Sequence, residues 1–172
     1  MTAMRLARVV FLVLAATIFF TVPALADLSP RSAFVLVRRV APGDTFKDAT
    51  AFLGAHAAEW GMEGGLKLRR WGTAADEWIF DVLHDARVVR ATRITWNVRG
   101  RRDQQRLFSQ LTTEGRKFFG FAAKFRGQTE AEWTELDGTL LVRAKLEDAP
   151  EGGVTLLTGI RQDKMQSETY GF

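Results

Sequence analysis

WIFDVLHDARVVRATRITWNV, residues 78–98, followed closely by RDQQRLFSQLTTEGRKFF, residues 102–119, is the stretch that decides the fold. The first part alternates. Trp78, Phe80 and Val82 fall on one face of an extended chain, and Asp85-Ala86 offers a turn. Residues 88–98 make the longest predicted strand, with Val88, Ile94, Trp96 and Val98 on one face and Arg93, Thr95 and Asn97 on the other. Then the period changes. Leu107, Phe108, Leu111, Phe118 and Phe119 recur at helical spacing, and Gln105, Gln110, Thr113, Arg116 and Lys117 lie opposite. Asp103 is the candidate cap, Gly115 a weak point and Gly120 the stop. A hairpin with one apolar face, followed by an amphipathic helix, calls for a sheet with a helix packed on it.

Working outward, SAFVLVRRV, residues 32–40, reads as a further strand, because Phe34, Leu36 and Arg38 alternate with Val35, Val37 and Arg39. APGDTFKDATAFLG, residues 41–54, breaks at Pro42-Gly43 and then carries Phe46, Ala49, Phe52 and Leu53 at helical spacing. Asp44 is its expected N-cap and Gly54 its stop. A loop through Gly61, Gly64 and Gly65 leads to a predicted strand at 66–71. Beyond the long helix come a loop with Phe121, Phe125 and Gly127 and a short strand at 133–136. A strand at 140–146, a turn at Asp148-Ala-Pro-Glu-Gly-Gly153, a strand at 154–161 and a polar tail at 162–172 complete the chain. The expected class is α+β: a mostly antiparallel sheet with two helices on one face. Residues 42–98 and 99–161 share an order of helix, glycine, loop, tryptophan and hairpin. Phe52-Leu-Gly54 matches Phe118-Phe-Gly120, and Trp71 matches Trp133. A tandem helix–hairpin repeat accounts for this, and so does the general likeness of any two such segments.

The first 26 residues read as a secretory leader. Arg5 and Arg8 precede an apolar run, VVFLVLAATIFFTV, and Ala24-Leu25-Ala26 closes it with small residues in the A-x-A pattern. That run is shorter than the roughly 20 residues a spanning helix needs. Cleavage after Ala26 leaves residues 27–172 as one domain, expected in the periplasm or outside the cell. Removing Arg5 and Arg8 leaves 22 basic against 20 acidic residues, so the excess is small. The chain has no cysteine. Disulfides, thiolate metal sites, a cysteine nucleophile and a lipid-modified cysteine are therefore excluded. Export also argues against nucleic acid as a partner.

Pro42-Gly43, a short helix and Leu53-Gly54, followed by an aromatic hairpin with Trp71, Trp78-Ile-Phe80 and Trp96, resembles small outer-membrane assembly proteins of the BamE (SmpA/OmlA) type. The secreted β-lactamase inhibitor protein is similar to this unit in tandem. The resemblance spans residues 42–98, and the second half lacks the Pro-Gly start. It implies a helix-plus-sheet binding module rather than an enzyme. The missing lipid-bearing cysteine departs from the assembly lipoproteins, and no site residue carries over.

Chemistry-bearing clusters are few. His56 with Glu59, and His84 between Asp81 and Asp85, lack converging partners, and His84 reads as an exposed turn residue. No catalytic residue, cofactor or metal is expected. Glu130, Glu132, Glu135 and Asp137 form an acidic cluster, the one feature that suits an envelope hydrolase. The acids at 130 and 132 share a strand face, as a solvated edge would. A small-ligand carrier with a cavity between helices and sheet is the other alternative. Arg87, Arg90, Arg93, Arg99, Arg101, Arg102 and Arg106 fall within 20 residues, with Asp103 the one acid from 87 to 106. They are the candidate patch for an anionic partner, whether an envelope protein, a lipid or a glycan. A solvated strand edge accounts for the same run.

Overall fold

The computed structural model describes residues 28–73, 75–135, 140–147 and 153–160. Its eight antiparallel strands lie in the order β1-β2-β3-β4-β8-β7-β6-β5. β1 (Ala58–Gly61), β2 (Lys67–Trp71), β3 (Trp78–His84) and β4 (Val89–Trp96) form one meander. β5 (Lys124–Arg126), β6 (Glu130–Thr134), β7 (Leu140–Leu146) and β8 (Val154–Ile160) form a second. The last strand of each meander pairs with the last strand of the other, with Ile94 opposite Leu156. At that junction the hydroxyls of Thr92 and Thr158 are hydrogen bonded and buried. Three helices, α1 (Pro30–Arg39), α2 (Phe46–Thr50) and α3 (Arg101–Phe119), supply the other layer. The α+β class and the antiparallel sheet are as expected.

The predicted strand at 32–40 is instead helix through Arg39, with Val40 as its C-cap. Its buried positions are Ala33, Phe34, Leu36, Val37 and Val40, at helical spacing, while Val35 is exposed. Two local signals set the start of α1: Pro30 in its first turn and Ser29, whose Oγ accepts the amide of Ser32. β-branched valines disfavour a helix only slightly, and packing overrides that preference. Phe34 is fully buried, worth about 2–3 kcal/mol. It stacks on Phe118 at 5.7 Å and meets Trp133 edge-on at 5.5 Å. The helix count is therefore three, and α1 lies against α3.

Around Asp44 the chain departs from the expected cap. Thr45 occupies the N-cap position of α2, and the Asp44 carboxylate instead accepts the amide of Ala41. α2 is one turn long and continues as a 3-10 turn, Ala51–Leu53. The segment before it is laced to the β3–β4 hairpin: Gly43 and Phe46 donate to the carbonyls of Val89 and Arg87, and Val89 donates to Asp44. Phe46, Ala49 and Leu53 point into the core, as their spacing predicts.

α3 begins after Gly100, not at an Asp103 cap, and ends at Gly120 in the left-handed conformation. Gly115 is a packing requirement rather than a weak point. A β-carbon there would stand 2.3 Å from Trp133 Cζ2. Two strands fall where loops are predicted, β1 and β5, and both are short edges. The 133–136 strand begins three residues earlier than predicted, as β6. Within β4 the register shifts opposite His84, so Val89 rather than Val88 joins Ile94 and Trp96 on the inner face. The predicted tail at 162–172 and the leader lie outside the described residues.

Candidate functional site

The structure does not gather the seven arginines. Eight residues of β4 at about 3.3 Å each put its two ends roughly 25 Å apart. Arg87 lies at the hairpin tip, and Arg90 beside it donates to Asp85 through Nε at 3.1 Å. Asp85 also accepts the amides of Val88 and Arg87, and with Arg90 these hold its pKa down at about 2. Arg93 lies mid-sheet on the outer face, away from the helices, 2.8 Å from Asp81. Arg99, Arg101, Arg102 and Arg106 stand at the opposite end, around the start of α3, and all four are exposed. Arg106 pairs with Asp103 at 2.8 Å. Arg99 and Arg102 form no ion pair among the described residues. A contiguous basic surface therefore survives only at residues 99–106. It opposes the dipole of α3, whose amino end already carries partial positive charge.

Asp81 is the buried acid of the outer face, 1% exposed. Arg70 grips it with two hydrogen bonds, 2.6 and 2.9 Å, and Arg93 approaches from β4. The pairing raises the pKa of Arg70. The two arginines neutralise the Asp81 carboxylate within the sheet and leave it little room for a ligand.

The acidic cluster is likewise occupied. Glu132 accepts from Arg143 and lies 3.1 Å from Arg126. Glu130 sits 2.9 Å from Arg143 Nε, an electrostatic contact outside hydrogen-bond geometry. Glu135 reaches across to Arg38 on α1 at 2.7 Å. Glu130 and Glu132 do share a strand face, as expected. Asp137 lies outside the described residues.

His84 is not an exposed turn residue. It is 2% exposed at the inner end of β3, stacked on Phe46 with ring centroids 3.6 Å apart. Its Nδ1 accepts the amide of Ala86, which fixes the proton of the neutral ring on Nε2. Burial, then the positive charge of Arg69, lowers its pKa to about 4. Arg69 covers Phe46, 4.8 Å from its ring centre, and is bound by Glu59. Arg69 first among these contacts, Glu59 has a lowered pKa. His56 is exposed and meets Trp71 edge-on at 6.3 Å. Among the described residues no three acids or histidines converge as a metal site.

The interior is filled by side chains, from Trp71 and Phe80 through Ile94 and Leu156 to Trp133. An open groove of about 820 Å³ runs between α1 and α3, lined mainly by polar groups such as Ser29, Arg31, Gln110 and Glu114. Neither the Asp81 triad nor the His84–Phe46–Arg69 stack is among the sites predicted from the sequence. A lone acid inside an apolar strand was the available signal for the first. The second needs the α2 segment to be folded over the hairpin.

No family model matches the chain, and no curated protein matches it. Among solved structures it is similar to a cysteine-rich secretory protein from Staphylococcus aureus subsp. aureus Mu50, at 10% identity and a TM-score of 0.44. The match covers 75% of this chain and 48% of that one. The chain thus spans about half the length of that structure. No helix among the described residues is long and apolar enough to cross a membrane.

Proposed function

We propose that the protein is an exported binding module of the cell envelope that takes an anionic group at the Arg99–Arg106 end of α3. The observation that carries this reading is the exposure of four arginines there, of which Arg106 pairs with Asp103. Guanidinium forks suit phosphate and carboxylate, and repulsion between like charges at a helix amino end favours an incoming anion. The candidate patch therefore contracts from seven residues to Arg99, Arg101, Arg102 and Arg106.

Export is supported by the leader pattern. Leu28, two residues beyond Ala26, is already buried, and its carbonyl accepts the indole N–H of Trp96 at 3.1 Å. Cleavage after Ala26 leaves that anchor in place. The hydrolase alternative is disfavoured, because Glu130 and Glu132 are tied to Arg143 and Arg126.

Co-sedimentation with phosphatidylglycerol vesicles, and with lipopolysaccharide, tests the proposal at low and high salt. Binding that weakens with salt and falls about tenfold in R99E/R102E is expected. Equal binding by that variant, or no binding at low salt, rejects it.

A further inference from the structure

β5 ends the sheet. Its three residues, Lys124, Phe125 and Arg126, are all exposed, and among the described residues only β6 pairs with it. The pairing has a simple code. Lys124 stands opposite Glu132, Phe125 opposite Ala131, and Arg126 opposite Glu130. The charges meet on the outer face, where Arg126 lies 3.1 Å from Glu132. Phe125 shares the inner face with the buried Ala131, yet is 56% exposed itself. Phe121 stands 37% exposed after the end of α3. Its ring is 5.8 Å from Phe119, which stacks on Trp133. Aromatic surface thus runs from the core outward to this end of the helical layer.

We propose that the free edge of β5 is a strand-addition site for an extended segment of a partner protein, with side chains that alternate acidic, apolar, acidic. An antiparallel strand turns alternate residues' backbone groups toward opposite neighbours, so the groups of β5 that do not face β6 are turned toward a new strand. The added strand would also meet the same side chains: lysine and arginine on one face, phenylalanine on the other. Glu130-Ala131-Glu132 of β6 shows which sequence satisfies them. A charge-blunted edge accounts for Lys124 and Arg126 but not for an open phenylalanine between them. A bilayer surface fits less well, since aromatic and basic groups lie on opposite faces of β5, and a plane engages one face. The other edge differs. On β1, Glu59 is bound by Lys67 and Arg69, and Arg70 lies 5.0 Å over Trp60. This surface is distinct from Arg99–Arg106, because the 19 residues of α3 separate the two by about 28 Å.

The test uses the purified protein, the peptide Thr-Glu-Ala-Glu-Trp-Thr and its counterpart with lysine in place of both glutamates, followed by amide chemical shifts. The acidic peptide is expected to bind saturably and to shift residues 124–126. F125S and K124E should each weaken it about tenfold, with melting temperatures within about 3 °C of the parent. The lysine peptide should ignore the parent and gain affinity for K124E. Absent shifts at 124–126, equal binding of both peptides, or undiminished binding by F125S overturns the proposal. So does a response to phosphatidylglycerol vesicles that F121S/F125S abolishes while neither peptide binds. Binding of anions at Arg99–Arg106 is unaffected by either outcome.

Discussion

The two meanders, β1–β4 and β5–β8, follow one plan with different chemistry. In the first, Trp71 stands opposite Phe80, and the preceding pair is Arg70 with Asp81. In the second, Trp133 stands opposite Val142, and the preceding pair is Glu132 with Arg143. Each half therefore places a tryptophan on the inner face and an ion pair beside it on the outer face. The signs of the ion pair are reversed. What the sheet requires at these positions is volume inside and neutralised charge outside, and which strand carries the cation is free. The covers differ as well. Trp71 lies by the end of the short α2 segment and donates to the carbonyl of Gly54 at 3.3 Å. Trp133 lies under the 19-residue α3, and space for its ring comes from Gly115.

That contrast can be broken most forcefully at Gly115. In G115A the new methyl overlaps a fully buried indole that cannot retreat. A loss of about 3 kcal/mol or more is expected, read as a fall of roughly 6–12 °C in melting temperature. A fall under about 2 °C would mean that the α3–Trp133 contact is looser than described.

The ion pairs should differ next. Asp81 is almost wholly buried between two arginines, whereas the Glu132 side chain is 12% exposed and shares its arginines with Glu130. D81N should cost about 3 kcal/mol in urea unfolding and E132Q about 1 kcal/mol. Equal losses would show that the two outer faces are energetically alike.

The halves also differ at the inner ends of β3 and β7, where the first carries His84 and the second Leu146. His84 has a folded pKa of about 4 against 6.5 for a free histidine. The unfolded chain therefore binds the proton first, and stability falls as pH drops from about 6.5 to 4, then levels off. Its share is up to about 3 kcal/mol. Protonation would also turn Nδ1 into a donor facing the donor of Ala86. H84L should flatten that part of the stability–pH curve; an unchanged curve would show that His84 does not set it.

The smallest effect is expected at the helix end. Gly120 has φ +77° and open space around it, so G120A should cost about 1 kcal/mol through backbone conformation alone. A much larger loss would point to contacts of Gly120 that the structure lacks.

Long elements with one period were readable from the residues. α3 and the β3–β4 and β7–β8 hairpins carry enough alternation to name themselves. The 32–40 segment failed because SAFVLVRRV satisfies both periods over nine residues, and Ser29-Pro30, which decides for helix, lies just before it. β1 and β5 have four and three residues, and their pairing comes from β2 and β6 rather than from any pattern of their own. The arginine patch shows the same limit. Closeness along a strand is distance in space, so Arg87 and Arg99 mark opposite ends of β4. His84 looked exposed beside two aspartates because its cover, Phe46, comes from 38 residues away.

Of the seven arginines, only those at the Arg99–Arg106 end are proposed to receive an anion. Titration of the isotope-labelled protein with inorganic tripolyphosphate at low salt, followed by amide shifts, tests this most directly. Saturable shifts confined to residues 99–106, with 87–93 unmoved, are the expected result. Shifts centred on 87–93, or none that saturate, would contradict it.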